Sequence, residues 1–280
     1  MASPLAINTN IGSLNVQRSL TLRGRLLNDS IERLSSGLKI NSAADDAAGL
    51  AVSENLTAQV RGFQQGLENA NDAISILATA EGAYNSISDI LIRMRELSVQ
   101  SASDSLASVE RGYLNTEFTQ LVQEITRISD VSEYNGIKLL DGSGGDGAGN
   151  FVFQVGTRNT ANDRIQVFLG DVDAAGLGLN ASAIDTLAGS QTAIDDIDAA
   201  LTSLATSRAT IGSTVNQLTA AVDNLSITIE NLSAANSQIR DADLAKESAE
   251  FTKNQVLMQA GTAMLSQANA IPQLALQLLG

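Results

Sequence analysis

Residues 194–239 read IDDIDAALTSLATSRATIGSTVNQLTAAVDNLSITIENLSAANSQI. Ile194, Ile197, Leu201, Leu204, Ile211, Val215, Leu218, Val222, Leu225, Ile229, Leu232 and Ile239 recur in steps of three and four, and only Arg208 and Asn236 break the series. Residues at that spacing share one stripe of a helix, and a stripe kept for so many turns predicts a rod packed lengthwise on other helices. At 1.5 Å of rise per residue the rod is roughly 70 Å long. Globular helices average only three or four turns, so the fold class follows from this stretch: mainly α, a long antiparallel helical bundle or coiled coil.

The N-terminal half supplies partners for that rod. Leu56, Val60, Phe63, Leu67, Ala70, Ile74 and Leu77 follow the same rule, and Tyr84, Ile87, Leu91 and Met94 resume it after what reads as a stutter. A third run, Leu114, Phe118, Leu121, Ile125 and Ile128, follows the polar SASDS turn. Between the halves the chemistry changes. DGSGGDGAGN at 141–150 is a glycine-rich turn region, and FVFQV (151–155) and RIQVFLG (164–170) alternate as two short strands, which predicts a small β-hairpin region.

Both ends carry the stripe again, but more thinly. Leu20, Leu27 and Leu34 are seven apart, as are Leu257, Met264, Ile271 and Leu278. Neither stripe is wide enough to bury itself, so the ends are expected to pair with each other and with other copies of the chain.

Composition narrows the chemistry. The apolar content is mostly aliphatic, with six Phe, three Tyr and no Trp, and there are only two Pro to interrupt helices. Cys and His are both absent, which removes disulfides, thiolate nucleophiles, imidazole bases and the usual transition-metal ligands. No catalytic residue, cofactor or metal is expected. A net charge of −14 argues against a nucleic-acid partner, whose phosphates would be repelled. Met1–Gln17 and Asn254–Gly280 hold no charged side chain, yet Asn, Gln, Ser and Thr interrupt both, so membrane insertion is not expected. MASPLAINTN lacks the basic and apolar regions of a secretory signal, so export is expected by a route that cleaves no such peptide.

LSSGLKINSAADDAAGLAVSE (34–54), RMRELSVQSAS (93–103), EYNGIKLLDG (133–142) and NLSAANSQIRDADLAKESAEFTKNQVLMQAGTAMLSQAN (231–269) resemble the hallmark segments of bacterial flagellin. The resemblance covers about residues 5–141 and 194–280, in order and at matching ends. Only 142–190 departs, where large flagellins carry outer domains and this chain has little more than a hairpin. The resemblance implies a non-enzymatic, self-assembling subunit of the flagellar filament, used for swimming. Its ends would pair as a coiled coil lining the central channel, with Leu20, Leu27, Leu34, Leu257, Met264, Ile271 and Leu278 packing the inner tube. The long bundle helix would pack through Val215, Leu218, Val222, Leu225, Ile229 and Leu232. The implied organisation is an inner-tube helix over 1–42, bundle over 43–141, hairpin and variable region over 142–190, long bundle helix over 191–239, and inner-tube helix over 240–280.

The implied partners are copies of the same chain, an export chaperone on the C-terminal segment, and hook-associated and cap proteins. Export is implied through the flagellar type III apparatus, and the filament is expected outside the cell rather than in the periplasm. Flagellins sensed by the vertebrate toll-like receptor for flagellin meet it through an Arg, a Leu and a Gln in this segment and a Glu on the next helix; by motif these are Arg93, Leu97, Gln100 and Glu117, although Ile92 stands where a polar residue is expected in strong activators. Two readings stay beside the filament subunit: a hook-filament junction protein, and a secreted coiled-coil effector or adhesin.

Two acidic motifs have plainer readings than chemistry. Asp45 and Asp46 are neighbours, and neighbours point apart on a helix, so they do not form a carboxylate pair. A helix start at Asn41 or Ser42, with the acids near the positive end of the helix dipole, accounts for them. IRDAD at 239–243 lacks the ligand count of a calcium loop and reads as a turn where a helix restarts.

Overall fold

A computed structural model describes residues 9–279, with side chains over 9–270. Five helices account for most of the chain: α1 (Ile11–Ser36), α2 (Ala47–Ser101), α3 (Ser108–Val131), α4 (Leu187–Arg240) and α5 (Leu244–Leu279). Four short strands form two antiparallel hairpins, β1 (Glu133–Tyr134) with β2 (Ile137–Lys138) and β3 (Asn150–Gln154) with β4 (Arg164–Phe168). The chain divides into two compact units, one of residues 1–58 with 231–280 and one of residues 59–230.

Residues 59–230 hold the core. From Ala70 the buried positions of α2 run Ala73, Leu77, Ala80, Tyr84, Ile87, Leu91 and Met94 without a break in the three-four rhythm. The stutter expected near residue 80 is therefore absent. Ala73 and Ala80 carry the seam where the sequence offers no large residue, and small side chains at those layers let the helices approach closely. On α4, Ala193, Ile197, Ala200, Leu204, Ile211, Leu218 and Leu225 are buried in the same cluster. Phe118 and Ile125 join it from α3. The ion pairs Arg208–Glu81 at 2.8 Å and Arg95–Asp198 at 2.6 Å show that α4 climbs as α2 descends, so the two are antiparallel.

The interruption at Arg208 is thus a cross-helix ion pair. The other interruption, at Asn236, lies in the terminal unit, where its Nδ2 donates to Thr57 Oγ1 at 3.1 Å. Each polar residue in the series has a polar partner on α2.

The hairpins lie over the bundle in the same unit. In β3–β4, Phe151, Ile165 and Val167 face the core while Val152, Gln166 and Phe168 face out, the alternation a half-buried ribbon requires. Asn69 Nδ2 on α2 donates to the Gln154 carbonyl at 2.9 Å. The β1–β2 hairpin was not expected from hydrophobic alternation, since its strands are two residues long. Its cue is Asn135-Gly136, with φ of 50° and 77°, the pair that a two-residue turn with both residues left-handed prefers. Downstream of β4, Leu169, Val172, Leu177, Leu179 and Ile184 are buried, so the segment leading to α4 closes the core.

Candidate functional site

The terminal unit is built around α1 and α5. Asn10 Nδ2 donates to the Ala268 carbonyl at 2.8 Å, Arg23 Nη1 to Asn254 Oδ1 at 3.4 Å, and Arg33 Nη1 meets Glu247 Oε1 at 3.1 Å. Positions rise along α1 as their partners fall along α5, so the pair is antiparallel. Gly37, with φ of 72°, ends α1, and its N–H closes on the Arg33 carbonyl. The two connectors then lie side by side: Lys39 N–H donates to the Arg240 carbonyl at 2.7 Å, and Ala242 N–H to the Gly37 carbonyl at 2.9 Å.

The acidic pair of the first connector has two separate structural tasks. Asp45 turns back, its Oδ2 accepting from the Asn41 and Ser42 amides and the Ser42 hydroxyl. Those hydrogen bonds hold its carboxyl below the usual aspartate range. Asp46 looks forward, its Oδ1 accepting from the Gly49 amide at 2.9 Å to cap α2. The helix start expected at Asn41 or Ser42 lies at Asp46 instead, because Asp45 ties both earlier residues into a turn. Asp243 caps α5 in the same way through Ala245 and Lys246, so the 239–243 motif is a helix restart.

Several of the expected inner-tube residues are visible in this unit. Leu20, Leu27 and Leu34 are half-buried, while Leu257 and Met264 remain 38% and 60% exposed. The side chains of Ile271 and Leu278 lie outside the described residues. Ile11, Leu14 and Leu22 of α1 and Val256 of α5 add to the exposed apolar surface. Of the bundle-seam residues, Leu218 and Leu225 are buried, whereas Val215, Val222, Ile229 and Leu232 are half-buried.

The four receptor-motif residues fall on α2 and α3. Arg93 donates through Nε and Nη2 to Glu117 Oε1 at 3.0 and 2.9 Å, and through Nη1 to Glu96. These carboxylates hold the guanidinium above its usual pKa, led by the Glu117 hydrogen bond. Gln100 is exposed, and Leu97 is 1% exposed within the core, so Leu97 presents no surface in this chain. Among the described residues no group of three or more His, Cys, Asp or Glu is placed to hold a metal, and no helix is long and apolar enough to cross a membrane.

Comparison with known proteins gives this arrangement a family. The profile of the bacterial flagellin N-terminal helical region matches residues 7–144, and that of the C-terminal helical region matches 194–279. The chain belongs to the bacterial flagellin family. It is 42% identical over 275 residues to a flagellin of Halalkalibacterium halodurans, covering 98% of this chain and all of that one. It is 38% identical to the flagellar filament 33 kDa core protein of Treponema phagedenis, again over 98% of this chain and all of that one. A putative flagellar hook-associated protein from Vibrio parahaemolyticus shares the fold at 16% identity, with a TM-score of 0.56 over 70% of this chain and all of that one.

Proposed function

We propose that the chain polymerises with copies of itself into the tube of the bacterial flagellar filament, with no enzymatic activity of its own. Family membership makes it a structural filament subunit; the assignment of parts goes further. The observation that carries it is the exposed apolar surface on α1 and α5, the helices of both chain ends, beside a bundle whose seam is filled from within. A monomer gains nothing from leaving Leu14, Leu22, Val256 and Met264 in water, whereas neighbouring copies that cover them gain roughly 25 cal/mol per Å² of apolar area buried. The α1–α5 pair lines the channel, and residues 59–230 form the surrounding wall. The chain reaches the growing tip through the flagellar type III apparatus, held by a chaperone on its C-terminal segment, and joins a filament outside the cell that is bounded by hook-associated and cap proteins.

Purified chain seeded with filament fragments and viewed by electron microscopy tests the reading. Long tubes are expected, and a hook-filament junction protein or adhesin would give none.

The Arg93–Glu117 pair and Gln100 form the surface offered to the vertebrate flagellin receptor, with Leu97 supporting them from below. Monomer should therefore signal more strongly than intact filament, whose neighbouring copies cover this flank. Folded chain carrying Arg93→Ala and Glu117→Ala that signals like wild type would remove the receptor from the account and leave the filament untouched.

A further inference from the structure

The apolar stripes of the terminal helices do not choose how those helices are matched. On α1 the stripe repeats as Leu20, Leu27 and Leu34, and on α5 as Leu257 and Met264, so a slide of seven residues puts large apolar side chains where such side chains stood. The contact is also shallow, half-buried on α1 and exposed at Leu257 and Met264 on α5. Burial alone therefore separates the native match from its one-heptad neighbours poorly.

The polar contacts repeat on that period only in part. Asn254 is 3% exposed, and among the described residues of α5 it is the only side chain classed as buried. Its Oδ1 accepts from Arg23 Nη1. A slide of one heptad in one direction sets Arg23 level with Glu247 but brings Asn254 level with Val16, which offers it no hydrogen bond. A slide in the other offers Asn254 the Ser30 hydroxyl but brings Arg23 level with Gly261 and takes Glu247 away from Arg33. Either move leaves a buried or half-buried polar group without its partner, which costs more than the apolar contacts distinguish. A second fixed point is steric: Leu20 lies so close over Gly261 that a Cβ there would sit 2.7 Å from Leu20 Cδ2.

We infer that Asn254, through Arg23, sets the register of the α1–α5 pair, with Arg33–Glu247 and the Leu20–Gly261 contact holding the same match. Asn254 is thus a positioning residue, as a single buried Asn is in a coiled coil, where it trades stability for one register. Its consequence rests on the filament reading: a tube of identical subunits needs every copy to present the same apolar residues to its neighbours, and mixed registers would present different ones.

The absence of native cysteine makes the register readable by disulfide formation. Leu20→Cys with Gly261→Cys reports the native match, and Leu27→Cys or Ser13→Cys with Gly261→Cys, each in chain that also carries Leu20→Ala to make room for the new Cβ, report the two slipped ones. Seeded filaments are oxidised, then dissociated without reductant, and intrachain products are separated from interchain ones by mobility. With Asn254 present, cross-linking should be confined to the 20/261 pair. In the Asn254→Leu background a slipped pair should rise from background to a yield comparable with 20/261. The exchange Arg23→Asn with Asn254→Arg should return the native pattern. Cross-linking that stays confined to 20/261 in Asn254→Leu overturns the inference. Should Asn254→Leu not polymerise, the exchanged chain decides: recovery of filaments with the native cross-link supports the inference, and failure to recover overturns it. Chain without any of these substitutions reports on the filament reading separately, because its failure to polymerise counts against that reading, and the comparison is then made on soluble chain.

Discussion

Leu77, Tyr84 and Leu91 of α2 are fully buried in the bundle, whereas Leu257 and Met264 of α5, spaced by the same seven residues, stay 38% and 60% exposed. The difference is in what surrounds the stripe. In residues 59–230, α2 meets α4, α3, a hairpin and the segment after it, so one seam is enclosed on several sides. Among the described residues of the terminal unit, α1 and α5 have mainly each other along most of their length, and two helices cannot enclose a stripe that a third or fourth must cover. Equal periodicity therefore gives unequal enclosure: the bundle is complete in one chain, while the terminal pair leaves apolar surface that the proposed filament would cover.

A charge in the enclosed seam has the largest expected effect. Leu218→Asp places a carboxylate at a fully buried position of α4, and an ionised carboxylate there costs several kcal/mol. The monomer should lose its cooperative thermal transition or melt far lower. An unchanged melt would mean that this face is not the core.

Alkaline pH loads the same seam more gently. The Tyr84 hydroxyl is buried with no hydrogen-bond partner at normal geometry, and burial pushes its pKa from 10.0 up to about 12, with the Ser207 hydroxyl offsetting only part of the shift. A raised folded pKa means that the contribution is fully present below pH 10 and is lost as pH rises towards 12. The loss amounts to about 2–3 kcal/mol for a shift of this size. Tyr84→Phe should flatten the fall in stability over that window, and an equal fall in both chains would remove Tyr84 from the explanation.

Much of this was legible beforehand because helix period and heptad spacing survive without tertiary detail. The three long runs, the β3–β4 hairpin and the paired ends all follow from spacing. What sequence misjudged were positions decided by small or polar residues. Ala73 and Ala80 keep the seam in phase but do not look apolar enough to count, so a stutter is expected where there is none. The cap falls at Asp46 because Asp45 is occupied with Asn41 and Ser42, a competition between adjacent carboxylates that composition does not resolve. The β1–β2 hairpin rests on a two-residue turn rather than on alternation, and Asn135-Gly136 was its available cue. Asn254 escapes pattern reading altogether, since its burial depends on which residue of α1 lies opposite.

The smallest effect on the monomer sharpens the contrast most. Met264→Ala removes a side chain that is already exposed, so the monomer's melt should match wild type within error. Seeded polymerisation should nevertheless slow or stop, because the proposed tube covers the same side chain with a neighbour. Normal assembly of Met264→Ala would show that this face of α5 is not a subunit contact.

The bundle is finished in one chain, and in the proposed filament the terminal pair is finished only by assembly. Amide hydrogen exchange, compared residue by residue in verified monomer and in filament, tests it most directly. In monomer, α1 and α5 should exchange rapidly while the amides of α2 and α4 around Leu77, Tyr84, Leu91 and Leu218 are protected; in filament, both regions should be protected. Strong protection of α1 and α5 in the monomer, equal to that of the bundle, would contradict the account.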